Sequence, residues 1–268
     1  MPTGRQLVME DDESEEVQQK QHEQMLKLVS RSFYRELINY GVSDAEVLSV
    51  AGHLLDNVMQ HRSAPAAETV APPSGLSLRN IKDEWDPAKR LTLEQVSLRP
   101  FTEDLAAAAA GWLRTPAIRE SFYPRFPNGV KRLSGYLLKR GRDYFAICYE
   151  GAPVGLVGAE NIDPSSTKLE MRKLVGDPEM HGKGIGKRAT FLFLYYVFHI
   201  LQYEKVYVHS LDTNIRNLNL NARFGFELEG VFLQDVLVRR QRRDLVRMAL
   251  LRETWQRMFA WESPPATS

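Results

Sequence analysis

The sequence contains little cysteine and no long apolar run. Cys148 is the single cysteine among 268 residues, which excludes an internal disulfide and a cysteine-based metal cluster. No run of about 18 apolar residues occurs, and no basic segment followed by an apolar one stands near the N-terminus. We therefore expect neither a membrane span nor a signal peptide, and we expect a cytoplasmic protein without a bound metal.

An excess of charge of one sign is also missing. The chain has 35 basic and 34 acidic residues and a formal net charge of +1, so we expect neither a nucleic acid nor a membrane surface as a partner. Hydrophobic residues make up 43% of the chain, which is typical of a globular protein. The length is sufficient for one large domain and one small one.

Apolar residues recur every three or four positions near the N-terminus, a spacing that indicates amphipathic helices. Gly41 suits the end of a first helix, and Ser43 with Glu46 forms a capping box that begins a second. The pattern predicts a helical hairpin over residues 17–60. Because so small a core is only marginally stable alone, we interpret the hairpin as a docking or dimerisation module, with a homodimer as one outcome.

Composition divides the chain into four segments. The acidic block EDDESEE is typical of a disordered tail, and a stretch rich in proline, alanine and serine is typical of a linker. The predicted organisation is an acidic tail at 1–16, the helical hairpin at 17–60, a linker at 61–78 and the main domain at 79–268.

The order of predicted elements in the main domain is informative. From about Leu91 onward, the apolar pattern predicts β-α-α-β-β-β-loop-α-β-α-β-β. Thr102 is a candidate N-cap for the first helix. Three strands joined by short turns precede a glycine-rich loop, which is an α+β order and not the alternating order of a dinucleotide-binding fold.

The glycine-rich loop, MHGKGIGKRAT at 180–190, lies between a predicted strand at 168–175 and an apolar helix at 187–203. The first turn of a helix presents unpaired N–H groups and the positive end of the helix dipole. A glycine-rich loop at that point suits an anion such as phosphate. The alternative is a flexible loop, because short glycine motifs also occur by chance.

Two motifs together resemble the GNAT superfamily of acyl-CoA-dependent N-acyltransferases. HGKGIG at 181–186 is similar to the cofactor loop, with His181 where glutamine or arginine is usual. VYVHSLDTNIRNLNLNARFGFELEG at 206–230 is similar to the strand, asparagine-initiated helix and Gly-Phe entry that follow. The resemblance covers about residues 94–258 and points to the subgroup of ribosomal-protein N-terminal and nucleotide-amino-sugar acetyltransferases. It implies a GNAT fold, with a mixed, mostly antiparallel sheet flanked by helices.

The resemblance further implies acetyl-CoA as cosubstrate, with its pyrophosphate on the backbone of the loop. The strand before the loop splays from its neighbour in this superfamily, and its edge pairs with the pantetheine amides. His181 is either a cofactor ligand or a solvated loop residue. The residues expected to bind acetyl-CoA are Leu174, Val175, His181, Gly182, Lys183, Gly184, Ile185, Gly186, Lys187, Arg188 and Asn214.

Amide formation requires a base, because an amine with a pKa of ~10.4 is mostly protonated at neutral pH. Glu170 stands on the strand before the loop, where a glutamate often serves this subgroup, and the resemblance implies that it is the general base. The alternative is a surface carboxylate paired with Arg172 or Lys168. Many superfamily members protonate the leaving thiolate with a tyrosine, but Asn221 occupies that place, and no general acid is identified.

The implied reaction is transfer of an acetyl group from acetyl-CoA to a primary amine, on a small molecule such as an amino sugar. A protein N-terminus is the alternative acceptor, and a non-catalytic acetyl-CoA sensor is the alternative class of protein. Four arginines in RRQRRD at 239–244 form either an exposed hairpin tip or an anion clamp. His199 and His209 are interpreted as structural residues.

Overall fold

The structure is a computed structural model in which the chain divides into two compact units, residues 1–68 and 69–268. It describes residues 23–35, 37–38, 42–44, 46–48, 50–51, 73–115, 118, 126–127, 129–238 and 240–259. The predicted acidic tail, most of the predicted linker and the outer parts of the predicted hairpin lie outside these residues. Within the described part of the chain, no helix is both long and apolar enough to cross a membrane.

The described residues of the first unit are mainly helical. Residues 23–35 form helix, and helix begins again after Ser43. The predicted capping box is confirmed, because the Glu46 carboxylate accepts from the Ser43 backbone N–H at 2.8 Å while the Ser43 hydroxyl accepts from the Glu46 N–H at 3.4 Å. The Tyr34 hydroxyl donates to Asp44 at 3.0 Å. A docking or dimerising role for residues 17–60 stays a prediction.

The second unit is built on one sheet of nine strands in the order β1-β2-β3-β4-β5-β6-β7-β9-β8. All neighbouring strands are antiparallel except β6 and β7, which are parallel. The strands are β1 Lys82–Glu84, β2 Arg90–Leu93, β3 Val96–Pro100, β4 Asp143–Tyr149, β5 Ala152–Asp163, β6 Lys168–Val175, β7 Lys205–Leu211, β8 Glu227–Val238 and β9 Gln241–Leu251.

Helices cover both faces of this sheet. They are α1 Ala106–Arg114, α2 Val130–Leu137, α3 Ile185–Tyr195, α4 Ile215–Arg223 and α5 Arg252–Met258. On one face, α1 and α2 pack on alternate residues of β4, β5 and β6, including Tyr144 and Leu174. On the other face, α3 is almost wholly buried, and its Phe193 packs edge-on against Phe145 of β4. The mixed, mostly antiparallel sheet implied by the resemblance is confirmed.

Three local expectations need correction. Strands β1 and β2 were not predicted, because they are only three and four residues long and the burial of β1 is slight. Thr102 makes no side-chain capping hydrogen bond, since a 3-10 turn, Glu103–Leu105, precedes α1. The apolar helix begins at Ile185 rather than at residue 187 and ends in a π-helical turn, Tyr196–Ile200.

In the basic segment RRQRRD, Arg240 lies in the turn between β8 and β9, and the residues from Gln241 to Asp244 begin β9. Arg240 has a positive φ of 64°, as a tight hairpin requires. Arg242 donates to the backbone carbonyl of Gln234 at 3.1 Å, and Arg243 donates to the side chain of Gln241 at 3.0 Å. These contacts agree with an exposed hairpin tip.

The parting of β6 and β7 positions the site. The two strands pair only at Lys168–Lys205, Leu169–Val206 and Glu170–Tyr207. Beyond Glu170 both strands continue for several residues, β6 toward the glycine-rich loop and β7 toward α4, without pairing to each other. The splayed strand expected from the resemblance is therefore confirmed, and a cleft opens along the free edge of β6.

Candidate active site

A cavity of about 680 Å³ occupies the cleft between β6 and β7. Its wall is formed by the C-terminal half of β6, the glycine-rich loop, the first turn of α3, the end of β7 and one face of α4. The residues that line it therefore come from parts of the chain that the tertiary structure alone brings together. One end of the cavity is the loop, and the other end is the point where the two strands part.

The glycine-rich loop ends in a helix start that needs glycine. Gly184 is the N-cap of α3 and has a left-handed φ of 74°, a conformation that residues with a Cβ adopt at a cost. A Cβ added at Gly184 would lie 2.7 Å from a guanidinium nitrogen of Arg188. Gly182 is also left-handed, with a φ of 83°. The unpaired N–H groups of the first turn of α3 thus face the cavity without a side chain between them.

Neighbouring side chains fix the loop in place. Nε2 of His181 donates to the backbone carbonyl of Val175 at 3.0 Å, so the histidine joins the loop to the end of β6. Lys187 donates to the carbonyl of Ser74 at 3.0 Å. Arg188 forms an ion pair with Glu94 at 2.5 Å. The loop is therefore a rigid element in which two of its basic residues are already engaged.

Most residues expected to bind acetyl-CoA line the cavity. Lys183 and Arg188 do not: Lys183 lies near the sulfur of Met180 at 3.4 Å, and Arg188 is held by Glu94. The expected residues that line it are Leu174, Val175, His181, Gly182, Gly184, Ile185, Gly186, Lys187 and Asn214. A ligand in the cavity would therefore contact these nine residues but not Lys183 or Arg188.

Asn214 begins α4 at the wall of the cavity. Its side chain accepts from the backbone N–H of Asn217 at 3.2 Å, which confirms the predicted N-cap. Asn217 in turn donates to the Ser210 hydroxyl of β7 at 2.5 Å. These bonds fix the start of α4 against the end of β7, and so fix the width of the cleft at that side.

Glu170 lies at the last paired position of β6, and its side chain is fully buried. One carboxylate oxygen is 2.7 Å from Nη2 of Arg172 and 2.9 Å from Nδ1 of His209, and the other accepts from Nδ2 of Asn161 at 2.6 Å. Burial raises the pKa of this carboxyl, but the hydrogen bond from His209 and the charge of Arg172 outweigh it, so the pKa lies below its ordinary value. The alternative of a surface carboxylate paired with Arg172 or Lys168 is wrong about the surface position, whereas the pairing with Arg172 is observed.

A second buried carboxylate, Glu160, lies opposite Glu170 on β5. It accepts from the hydroxyl groups of Tyr136 and Tyr144, each at 2.6 Å, and lies 3.5 Å from Nε of Arg172. The pKa of Tyr136 is raised to about 12 by burial and by its hydrogen bond to Glu160. Arg172 thus lies between two carboxylates, in a polar network below the cleft.

His209 connects this network to the cavity. It lies on β7 two residues beyond Tyr207, on the same face as Glu170, and its side chain is 12% exposed while that of Glu170 is 0% exposed. It lines the cavity, whereas Glu170 does not. The sequence interpretation of His209 as structural did not predict this position, although the strand period indicates it: residues two apart on β7 share a face, and Tyr207 pairs with Glu170.

Lys173 is buried on the opposite face of β6. Its ammonium group donates to Oγ1 of Thr190 at 3.0 Å and to Oδ1 of Asn221 at 2.8 Å. Burial lowers the pKa of Lys173 to about 7. Asn221, at the place where the superfamily often has a tyrosine, is itself fully buried and is the acceptor for this lysine.

The charge of the cavity wall is of one sign. Among the described residues that line it are five basic side chains and no acidic one: Arg172, Lys173, Lys187, Arg216 and Arg223. In the described part of the chain, no group of three or more histidine, cysteine, aspartate or glutamate side chains is arranged to hold a metal ion. The wall therefore suits an anionic ligand.

Comparisons with known proteins agree with this arrangement. Residues 95–227 match the family described as an acetyltransferase (GNAT) domain. The spermidine N(1)-acetyltransferases of Escherichia coli K12 and O157:H7 are each 26% identical over 111 residues, which is 41% of this chain and 59% of the relative. The match thus spans less than two thirds of the length of these relatives.

Solved structures share the fold. The spermidine N-acetyltransferase from Vibrio cholerae, in complex with CoA and spermine, superposes with a TM-score of 0.56 at 20% identity, covering 60% of this chain and 98% of that one. The matched family segment runs from the residue before β3 to the first residue of β8 and therefore contains the glycine-rich loop, the splayed strands and α4. With these elements in this order, residues 95–227 form a GNAT acetyltransferase domain.

Proposed function

We propose that the chain is an N-acetyltransferase that moves an acetyl group from acetyl-CoA to a primary amine of a small molecule. The observation that supports this most directly is the single cavity, which joins an anion-binding helix start at Gly184 to the buried Glu170–His209 pair. An acyl donor with a phosphorylated end and a reactive thioester end requires both features in one cleft.

The phosphorylated end of acetyl-CoA fits the loop. Its N–H groups are free of side-chain obstruction at Gly182 and Gly184, and the helix dipole favours a pyrophosphate there. Lys187 and Arg223 line the cavity and add positive charge. These residues, with the others expected to bind acetyl-CoA, are proposed as its binding site.

The extended arm of acetyl-CoA fits the free edge of β6. Because β6 stops pairing with β7 after Glu170, the backbone from Met171 to Val175 is open to the cleft on that side. Amide groups of the arm then add to this edge as a further strand would. The thioester is thereby directed toward the splay point, where Glu170 and His209 lie.

The acceptor is proposed to carry a single amine. The matched relatives are named for spermidine, a small-molecule amine. In this chain, however, the described cavity wall has basic side chains and no carboxylate that would compensate a second ammonium group. An amino sugar satisfies this requirement better than a polyamine does.

Thiol release from acetyl-CoA, measured with an amino sugar, spermidine and a peptide with a free N-terminus, tests the proposal. We expect turnover with the amino sugar to exceed turnover with the other two amines. Turnover of the peptide alone would show a protein N-terminal acetyltransferase. If the chain binds acetyl-CoA but releases no thiol in all three mixtures, the proposed enzymatic activity is contradicted and a non-catalytic acetyl-CoA sensor is favoured.

A pair of glycine variants tests the cosubstrate site separately. Gly184→Ala should weaken acetyl-CoA binding at least ~10-fold in calorimetry, or about 1.4 kcal/mol. Gly151→Ala is the matched control, because Gly151 has a similar φ of 84° in the turn between β4 and β5, outside the cavity. Both variants impose comparable backbone strain, about 1–2 kcal/mol, so equal loss of binding in both would refute the assignment of the loop.

A further inference from the structure

His209 and Glu170 form an oriented pair at the edge of the cavity. The carboxylate can only accept, so the imidazole donates through Nδ1, at 2.9 Å. A neutral imidazole with its proton on Nδ1 has its lone pair on Nε2. In the described part of the chain, no hydrogen-bond partner for Nε2 is found, and the ring lines the cavity.

Aromatic and aliphatic neighbours fix the plane of the imidazole. Tyr207 and Phe232 contact it edge-on, with ring centroids 5.6 Å away in each case. The charged groups that face it are Glu170 and Arg172 on β6 and Arg247, its register partner on β9. Arg247 is itself paired with Glu229 at 2.7 Å. The carboxylate of Glu170 is thus the charged group that directly contacts the ring.

Glu170 itself is poorly placed to accept a proton from an amine. Its carboxylate is 0% exposed; one oxygen accepts from His209 and forms an ion pair with Arg172, and the other accepts from Asn161. An acceptor amine in the cavity would meet the partly exposed imidazole before it met the carboxylate.

We propose that His209 is the general base of the proposed acetyl transfer and that Glu170 is a positioning residue, which holds the imidazole in the tautomer with a free Nε2. This inference rests on the proposed function. It replaces the carboxylate by the histidine as the group that touches the acceptor amine.

The proton balance of the step is complete. Nε2 of His209 takes one proton from the ammonium form of the acceptor, and the neutral amine attacks the thioester carbonyl carbon. A carbon–nitrogen bond forms, the carbon–sulfur bond breaks, and the second amine proton passes to the sulfur, so that CoA leaves as the thiol. The imidazolium of His209 then returns its proton to solvent.

Four variants of the full-length chain test the proposal. His209→Gln should lower kcat by ~10²–10⁴, the range for a lost general base, while the affinity for acetyl-CoA changes less than about twofold. His199→Gln is the control, because His199 stacks on Tyr195 at the far end of α3 and does not line the cavity. It should retain wild-type turnover.

A small imidazole added to the assay distinguishes a base from a structural residue. The His209→Ala variant leaves room for it next to the cavity, and we expect added imidazole to restore part of kcat in this variant and none in Glu170→Gln. Melting curves of all variants, recorded in parallel, identify any variant that fails to fold. If His209→Ala fails to fold, the rescue by imidazole is measured in His209→Gln.

The outcomes separate the two proposals. If a folded His209→Gln variant has the pH profile and turnover of the wild type, the proposed role of His209 is overturned, whereas the proposed acetyltransferase function still stands. A wild-type chain that binds acetyl-CoA but releases no thiol with any amine would overturn the proposed function and, with it, the base. Loss of turnover together with rescue by imidazole supports both.

Discussion

Glu160 and Glu170 are cross-strand neighbours on β5 and β6, and both are buried, yet their surroundings differ in kind. Glu160 is enclosed by two tyrosine hydroxyls and Arg172. Glu170 shares Arg172 but has Asn161 and a cavity-lining histidine as its other partners. Burial alone therefore does not distinguish the two carboxylates: both contact Arg172, but Glu170 also contacts His209, and both of these partners line the cavity.

The difference arises from the parting of the strands. Glu160 lies on β5, which is paired on both sides, and its side chain contacts Tyr136 of α2 and its strand neighbours Tyr144 on β4 and Arg172 on β6. Glu170 lies at the last β6–β7 pair, where the sheet opens. At that point Glu170 contacts two residues that line the cavity, Arg172 and His209.

The largest expected effect comes from exchanging the two carboxylates for amides in turn. Glu170→Gln should lower kcat by ~10²–10⁴ at neutral pH, because the imidazole loses the charge that holds its tautomer. The deficit should shrink at high pH, where the acceptor amine deprotonates without help. Glu160→Gln should change kcat far less. Steady-state kinetics over a pH series measure kcat in both variants. Equal losses of kcat in Glu170→Gln and Glu160→Gln would show that the two carboxylates do not differ in their effect on turnover.

The free energy of unfolding tests the network around Glu160. Glu160→Ala leaves the hydroxyls of Tyr136 and Tyr144 and one side of Arg172 without a partner, and breaking such a buried network costs about 3–5 kcal/mol. We expect a matching fall in the free energy of unfolding in urea. A Glu160→Ala chain as stable as wild type would show that water replaces the carboxylate and that the network is not closed.

Lys173 extends the comparison to the other face of β6. Burial lowers its pKa to about 7 from the ordinary lysine value of 10.5, so between these values the unfolded chain binds a proton that the folded chain does not. Stability of the wild type should therefore rise with pH across this window, by at most about 1.4 kcal/mol per pH unit. The Lys173→Met variant should lack this pH-dependent part of the free energy of unfolding.

Unfolding of the two proteins at pH 7, 8 and 9 measures the Lys173 effect. The stability difference between Lys173→Met and wild type should move in favour of wild type as the pH rises. A difference that stays constant over the series would mean that the ammonium group keeps its proton in the folded chain.

The smallest expected effect tests one contact of Glu160. Tyr136→Phe removes one of its two tyrosine hydrogen bonds, which should cost about 1 kcal/mol of unfolding free energy. The Arg142 guanidinium over the Tyr136 ring, 3.6 Å from its centroid, is retained in this variant. Turnover should stay at the wild-type level, and a large loss of turnover would place Glu160 in the reaction.

Local features could be predicted from the sequence. The glycine-rich loop before α3, the cap at Asn214 and the capping box of Ser43 are each determined by residues within a few positions of one another. The strands from β3 to β9 were predicted for the same reason, since alternation of apolar residues is local. Strands β1 and β2 were too short for such a signal.

Contacts between distant residues were decided by the tertiary structure. His209 meets Glu170 across 39 positions, and Asn221 meets Lys173 across 48. No spacing along the chain encodes either contact, because each depends on where two parallel strands stop pairing and on which helix then covers the opening. The sequence by itself determined the glycine-rich loop and the carboxylate on the strand before it; only the fold decided that this carboxylate would be buried and would face the cavity through a histidine.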